Sequence, residues 1–137
     1  MGQAAHTDLC SRLLDVMEGD ILPKTRLGVN DGNKIFGAAI LCKSDLSLIV
    51  ADTNREIDNP LLHGEISALM TFYKLPAAER PSTSRCIFLA THEPCSLCLS
   101  AITWAGFDNF YYFFDYKDSQ DTFHIGHDLK ILDEVFQ

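Results

Sequence analysis

The sequence predicts an α/β fold, a three-layer α/β/α domain built around a mixed sheet. Three observations carry that reading. Two apolar runs, Ile35 to Leu41 and Leu48 to Ala51, flank the turn Lys43-Ser44-Asp45 and predict an N-terminal antiparallel hairpin. Further on, the apolar run Cys86 to Ala90 is followed by a helical stretch from Cys95 to about Ala105 and then by a second run, Asn109 to Phe114. Strand, helix and strand in that order predict a parallel pair joined by a right-handed crossover. Amphipathic segments before and between these strands supply the outer layers.

Taken in order, Leu9, Leu13, Leu14, Met17 and Ile21 recur at helical spacing and predict a helix from about Thr7 to Ile21, stopped by Pro23. Lys24 to Asn33 holds two glycines and two asparagines and reads as loop. Gly37, inside the first apolar run, marks either a close backbone approach or a bulge. Thr53-Asn54-Arg55 leaves the second strand, and Asp58-Asn59-Pro60 turns the chain towards His63. A helix then runs to about Leu75 and is expected to bury Ile66, Leu69, Met70 and Phe72 or Tyr73. Pro76, Pro81 and the nearby serines predict a surface loop. Cys86 to Ala90 is continuously apolar, as in a strand covered on both faces. The Cys95 to Ala105 helix is apolar nearly all round, so it too is expected to be buried. His127 to Phe136 predicts a last amphipathic helix. No linker or repeat divides the chain, and residues 1–137 are expected to form one domain.

Composition excludes several function classes. At 47% apolar and 22% charged residues, the chain is ordinary for a globular domain. No apolar run approaches the roughly 20 residues that a membrane-spanning helix needs. The first residues lack a basic region followed by an apolar run, so the expected location is cytoplasmic. Eleven basic residues stand against nineteen acidic ones, a formal charge of −8 with no basic cluster. Nucleic-acid binding draws most of its affinity from Lys and Arg neutralising phosphates, so this balance points to a small-molecule partner. Five cysteines with no framework spacing read as reduced thiols.

The chemistry concentrates in Thr91-His92-Glu93-Pro94-Cys95-Ser96-Leu97-Cys98, together with His63-Gly64-Glu65 upstream. Two cysteines three apart on a helix share a face, so both sulfurs can reach one ion. Pro94 suits the first helical position, which would put Cys95 and Cys98 in the first turn, where the dipole favours thiolates. With His63 they make a three-ligand Zn²⁺ site that keeps a fourth position for water. Cys-x-x-Cys alone also occurs in redox pairs and structural zinc knuckles. A knuckle needs a second ligand pair, and Cys10, Cys42 and Cys86 do not supply one. A closed site using His92 would leave Glu65 without a role. His-x-Glu followed by Pro-Cys-x-x-Cys is the signature of zinc deaminases, in which the Glu moves protons and is not a ligand. The plainer reading of Glu65 is an acidic first-turn residue complementing the helix dipole.

On these residues the sequence resembles the cytidine deaminase superfamily, in its nucleobase, guanine and tRNA-adenosine branch, from about Asn33 to Asp118. The resemblance implies that His63, Cys95 and Cys98 hold zinc and that Glu65 is the proton shuttle of a hydrolytic deamination. It further implies that Asn54, after the second strand, hydrogen-bonds the substrate. Gly64 stands where the family more often has Ala, as in fungal-type cytosine deaminases that also read His-Gly-Glu-Ile. Ala101-Ile102-Thr103-Trp104-Ala105, followed by a strand and then Asp118, is similar to bacterial guanine deaminases, which implies that Trp104 and Asp118 contact a purine. Between the core of a fold and a pocket wall, Trp104 and Phe114 stay open on the residues alone. Asp115 stands between substrate contact and solvated loop, and His124 and His127 read as surface residues. The resemblance also implies dimers packed through the helices beside the zinc site. The surplus of apolar residues in the Leu97 to Ala105 helix and the aromatic strand fits a homodimer. The expected function is deamination of a free nucleobase or nucleoside, guanine-type first and cytosine or cytidine second. A tRNA adenosine deaminase and a catalytically silent zinc-binding module are the rival readings.

Overall fold

The computed structural model describes residues 3–115. The elements are α1 (Gln3–Val16), a π turn (Met17–Ile21), α2 (Leu22–Asn30), β1 (Gly37–Cys42), β2 (Leu48–Thr53), α3 (Gly64–Lys74), β3 (Cys86–His92), α4 (Ser96–Ala105) and β4 (Tyr111–Phe114). Short 3₁₀ turns at Ala77–Glu79 and Thr83–Arg85 lie in the loop between α3 and β3. The strands form one mixed sheet in the order β2-β1-β3-β4. β1 is antiparallel to both β2 and β3, and β3 is parallel to β4. The expected hairpin and the parallel strand-helix-strand unit are both present.

The alternation of strand residues assigns the two faces of the sheet. Ala38, Ile40, Val50, Cys86 and Phe88 meet Ala68, Leu69 and Phe72 of α3 and Ile102 of α4. On the other face, Ala39, Leu41, Ala51, Ile87 and Leu89 meet Leu13 and Val16 of α1 and Ile21 of the π turn. Three layers result, as predicted. β3 is buried along its whole length, because both faces of this central strand are covered.

The N-terminal helices correct the sequence reading. Pro23 does not stop the helix; it stands in the first turn of α2, and most of the stretch read as loop is helical. The widened turn just before it is the physical reason. The N–H of Leu22 donates to the carbonyl of Met17, five residues back. A proline has no N–H to continue the ladder, and its ring collides with the carbonyl four residues earlier. A π turn loosens that spacing, so the chain can carry the proline without leaving the helix.

Two further expectations on burial are corrected. Met70 is exposed and Ile66 only half-buried, while Leu69 is buried as expected and, of Phe72 and Tyr73, it is Phe72 that α3 turns inwards. α4 buries Cys98 and Ile102 but exposes Leu97 and Trp104, because the sheet covers only one side of it. Phe110, Tyr111, Tyr112, Phe113 and Phe114 are also exposed in the single chain. The helix read at His127 to Phe136 lies outside the described residues.

Gly37 and Gly64 fix how α3 meets the sheet. A Cβ on Gly64 would lie 2.7 Å from Gly37 Cα, 2.8 Å from the Phe36 carbonyl oxygen and 2.9 Å from Gly37 N. All three are backbone atoms that cannot swing aside. The close approach read from Gly37 is therefore real, and its partner is the first residue of α3. Gly64→Ala is expected to destabilise the fold by about 1–3 kcal/mol, the usual range for overpacking. Gly19→Ala, where an added Cβ meets nothing within 4 Å, should be neutral or slightly stabilising. Urea unfolding midpoints compare the two, and an unchanged midpoint for Gly64→Ala would contradict the contact.

Candidate metal centre and active site

Two helix starts converge on one place. His63 is the N-cap residue of α3, with an extended ψ of 161°, and its carbonyl accepts the first helical hydrogen bond from Ser67 N–H at 2.8 Å. Cys95 is the N-cap of α4, and its carbonyl accepts from Leu99 N–H at 2.8 Å. Pro94 therefore precedes the cap instead of occupying the first helical position. Cys98 sits one turn in, on the same side as Cys95.

The three side chains meet there. His63 Nδ1 lies 3.3 Å from Cys95 Sγ and 3.4 Å from Cys98 Sγ. Among the described residues, His63, Cys95 and Cys98 are the group whose ligand atoms all fall within 4.8 Å of one another. Tetrahedral zinc, with bonds of about 2.1 Å to nitrogen and 2.3 Å to sulfur, separates such ligands by roughly 3.6–3.8 Å. The donor set and its spacing fit that ion after a shift of a few tenths of an ångström. His92 is not part of the group. Its Nδ1 pairs with Thr91 Oγ1 at 2.8 Å, and its ring lies against Phe36 and Phe114. Burial pushes the His92 imidazole down to about 4, so it is neutral at pH 7.

The charges of the metal-free group point the same way. A hydrogen bond from Cys98 holds the Cys95 thiol down to about 4, against burial, and His63 adds to the effect. That same bond and burial push the Cys98 thiol far up. One proton thus stays on the pair, because two buried thiolates beside a carboxylate repel one another. A divalent cation removes the conflict and lets both sulfurs ionise. Glu65 is the second residue of α3 and only 5% exposed. Burial, with the Cys95 sulfur adding to it, pushes its carboxyl up to about 7. It forms no ion pair among the described residues.

Asn54 follows β2 as expected and is 2% exposed. Its backbone N–H donates to the Phe36 carbonyl at 2.8 Å, while its side-chain Oδ1 is buried with no hydrogen-bond partner. Leaving such an acceptor unsatisfied costs about 1–3 kcal/mol, so this oxygen, like Ser67 Oγ and Glu56 Oε2, calls for a water or other partner that the described residues do not supply. The sequence reading missed the residues that hold this corner. Asp52, buried at the end of β2, accepts from Thr53 N–H at 2.8 Å, from the Arg55 guanidinium at 2.9 Å and from the Thr71 hydroxyl of α3 at 2.7 Å. Thr91 Oγ1 accepts from Gly37 N–H at 3.1 Å. The available signal was an acidic residue inside an otherwise apolar strand, since a buried carboxylate needs donors.

Of the other candidate substrate-contact residues, Gly64 and Trp104 lie among the described ones. Gly64 has a packing reason, given by its contact with Gly37. Trp104 is 94% exposed on the outer side of α4 and is not brought to the cysteine-histidine group by this chain. At 1.5 Å per residue, it stands about 9 Å along the helix from Cys98. It borders an apolar depression with Leu69, Tyr73, Leu97 and Ala101. Asp115 is exposed at the edge of the described chain. Asp118, His124 and His127 lie outside the described residues.

A family model, the cytidine and deoxycytidylate deaminase zinc-binding region, matches residues 15–114. The chain belongs to the cytidine deaminase superfamily. Guanine deaminase from Bacillus subtilis superposes with a TM-score of 0.67 at 26% identity, covering 85% of this chain and 72% of that one. Guanine deaminase from Nitrosomonas europaea gives a TM-score of 0.62 at 25% identity, with 75% of this chain and 59% of that one covered. A tRNA:A34 deaminase of the transfer RNA wobble position gives a TM-score of 0.58 at 24% identity, over 69% of this chain and 71% of that one; this likeness concerns the fold alone. No curated protein matches the chain by sequence. This superfamily member thus has the family's mixed sheet, and its zinc-binding region includes the His63, Cys95 and Cys98 group able to hold the metal. No helix among the described residues is long and apolar enough to cross a membrane.

Proposed function

We propose that this deaminase-family chain is a zinc-dependent hydrolase releasing ammonia from the exocyclic amine of a free nucleobase or nucleoside, with guanine-type bases first. The observation that carries the reading is the placement of a buried carboxyl, Glu65, beside the three-residue His63, Cys95 and Cys98 group, two positions along the same helix start. A bound zinc would supply Lewis-acid activation of a water near neutral pH. Glu65 accepts one water proton on its carboxylate and gives it to the ring nitrogen next to the amine-bearing carbon, then takes the second proton from the added hydroxyl and passes it to the departing amine. Water and the amidine become a carbonyl and ammonia, so atoms and charge balance. Asn54 orients the base, its Oδ1 accepting an N–H from the substrate and losing its unpaired state.

The preference for guanine-type bases is supported by the likeness to the two guanine deaminases, each at 25% identity or above. The excess of acidic residues disfavours an RNA substrate. Ammonia release by the zinc-loaded chain, measured across guanine, cytosine, adenine, their nucleosides and a tRNA, tests the proposal. Turnover of guanine fits it, turnover of cytosine alone overturns the purine preference, and turnover of none overturns the activity.

The same reading includes a homodimer. Leu97, Trp104 and Tyr73 leave an apolar strip on α3 and α4, and a lone domain gains by covering it with a second copy. Sedimentation at micromolar concentration is expected to give twice the 15.3 kDa chain mass. A species of 15.3 kDa only would contradict it.

A further inference from the structure

Cys42 and Cys86 stand opposite each other in the antiparallel register of β1 and β3. The Lys43 N–H donates to the Arg85 carbonyl at 2.9 Å, which puts Lys43 and Arg85 at a hydrogen-bonding position of the ladder, although the Arg85 N–H turns to the Ser82 carbonyl. Pairs alternate along an antiparallel ladder, so Cys42 and Cys86 form the next, non-hydrogen-bonded pair. In such pairs the Cα atoms are about 4.5 Å apart and both side chains project from one face. Disulfides span Cα separations of about 4.4–6.8 Å, so bridging these two needs no movement of the strands. Both are free thiols here.

Their surroundings differ in a way that divides the labour of thiol exchange. Cys42 is partly exposed and lines a depression with Lys43, Ser44, Pro81 and Arg85. Lys43 is engaged by both carboxylate oxygens of Asp108 at 2.9 Å, which leaves the Arg85 guanidinium as the cation at the rim for an anionic visitor. Cys86 is fully buried, and its thiol donates to the Ser82 carbonyl at 3.4 Å. Of the other cysteines, Cys10 has no cysteine opposite it on a strand, and Cys95 and Cys98 belong to the metal group.

We infer that Cys42 and Cys86 form a reversible dithiol–disulfide site that exchanges with small anionic disulfides of the glutathione class. The Cys42 thiolate attacks one sulfur of the small disulfide, and one small thiolate leaves. The Cys86 thiolate then attacks the Cys42 sulfur of the mixed disulfide and displaces the second. Two electrons pass from the protein dithiol to the small disulfide, and the two protein protons end on two small thiols. Burial pushes the Cys86 thiol up, so its attack on the mixed disulfide quickens as pH rises. The bridge would lie at the ends of β1 and β3 remote from Gly37 and His92. It therefore leaves the metal group intact, and the inference does not rest on the deaminase activity.

The zinc-loaded full chain, incubated in mixtures of oxidised and reduced glutathione and then alkylated in denaturant, tests this by thiol counting and peptide mass mapping. Titratable thiols are expected to fall from the five of the sequence to three. The Cys42 and Cys86 peptides should be found linked, dithiothreitol should release them, and zinc content should not change. Cys42→Ser should keep all four of its thiols, and Cys86→Ala should trap a mixed disulfide at Cys42. If Cys86→Ala does not fold, the peptide map of the unaltered chain decides alone. A mixed disulfide at Cys42 that never resolves in the unaltered chain, a link between Cys95 and Cys98 instead, or five thiols throughout would overturn the inference.

Discussion

Glu65→Gln is expected to abolish turnover while sparing both metal and fold. The amide keeps the size of the carboxyl but cannot carry a proton between water, ring nitrogen and leaving amine. General acid–base catalysis is typically worth a factor of about 10² to 10⁴, and one group serving several steps places the loss at the upper end or beyond. Because the carboxyl is buried and its ionised form is penalised by that burial, a neutral side chain of equal shape does not weaken the core. Zinc content should stay at one per chain, since His63, Cys95 and Cys98 are untouched. Ammonia release, metal analysis and thermal unfolding of the same preparation check the three claims together. Turnover of guanine or cytosine at the wild-type rate would remove Glu65 from the mechanism.

Cys95→Ala is expected to lose the metal and, with it, stability. His63 and Cys95 lie 32 residues apart in sequence, so an ion held by both ties α3 to α4. A ligand bound only by the folded chain stabilises it by about 4 kcal/mol when its concentration is a thousand times its dissociation constant. The variant should therefore unfold at a lower temperature than the zinc-loaded chain. A chelator should bring the unaltered chain down towards the same value. The carbonyl of Cys95 accepts the first hydrogen bond of α4 from Leu99 N–H, and the substitution leaves that bond in place. A full complement of zinc in the variant would refute the assignment of Cys95.

Legibility differed with the kind of interaction involved. His63, Glu65, Cys95 and Cys98 were readable because ligand chemistry restricts residue type and spacing more tightly than packing does. Asn54 was readable only through resemblance, and its orphaned oxygen became visible only in three dimensions. Asp52 and Thr71 escaped because their pairing joins a strand to a helix 19 residues away, a separation that no local pattern encodes. α2 escaped because proline and glycine outweigh other signals in a linear reading, while a π turn is a property of the backbone. The exposure of Trp104 and Leu97 was misjudged for a related reason. Apolar content tells how much surface a helix would gain by covering, but not whether its own chain supplies the cover.

The π turn has a consequence for how this region tolerates change in length. Buried positions run Leu13, Val16, Ile21, Thr25 and Gly28, so the steps are three, four or three residues except at the turn, where the step is five. A regular helix rotates about 100° per residue. The extra residue restores the phase that keeps Ile21, Thr25 and Gly28 turned towards the sheet. Thr25 Oγ1 then lies 3.0 Å from Thr53 Oγ1, one residue before Asn54. Removing a single residue from 17–20 would swing α2 off that corner, whereas replacing one in place would leave its orientation alone. The stretch is thus a spacer of fixed count, and its number of residues matters to the distant pocket more than their identities do.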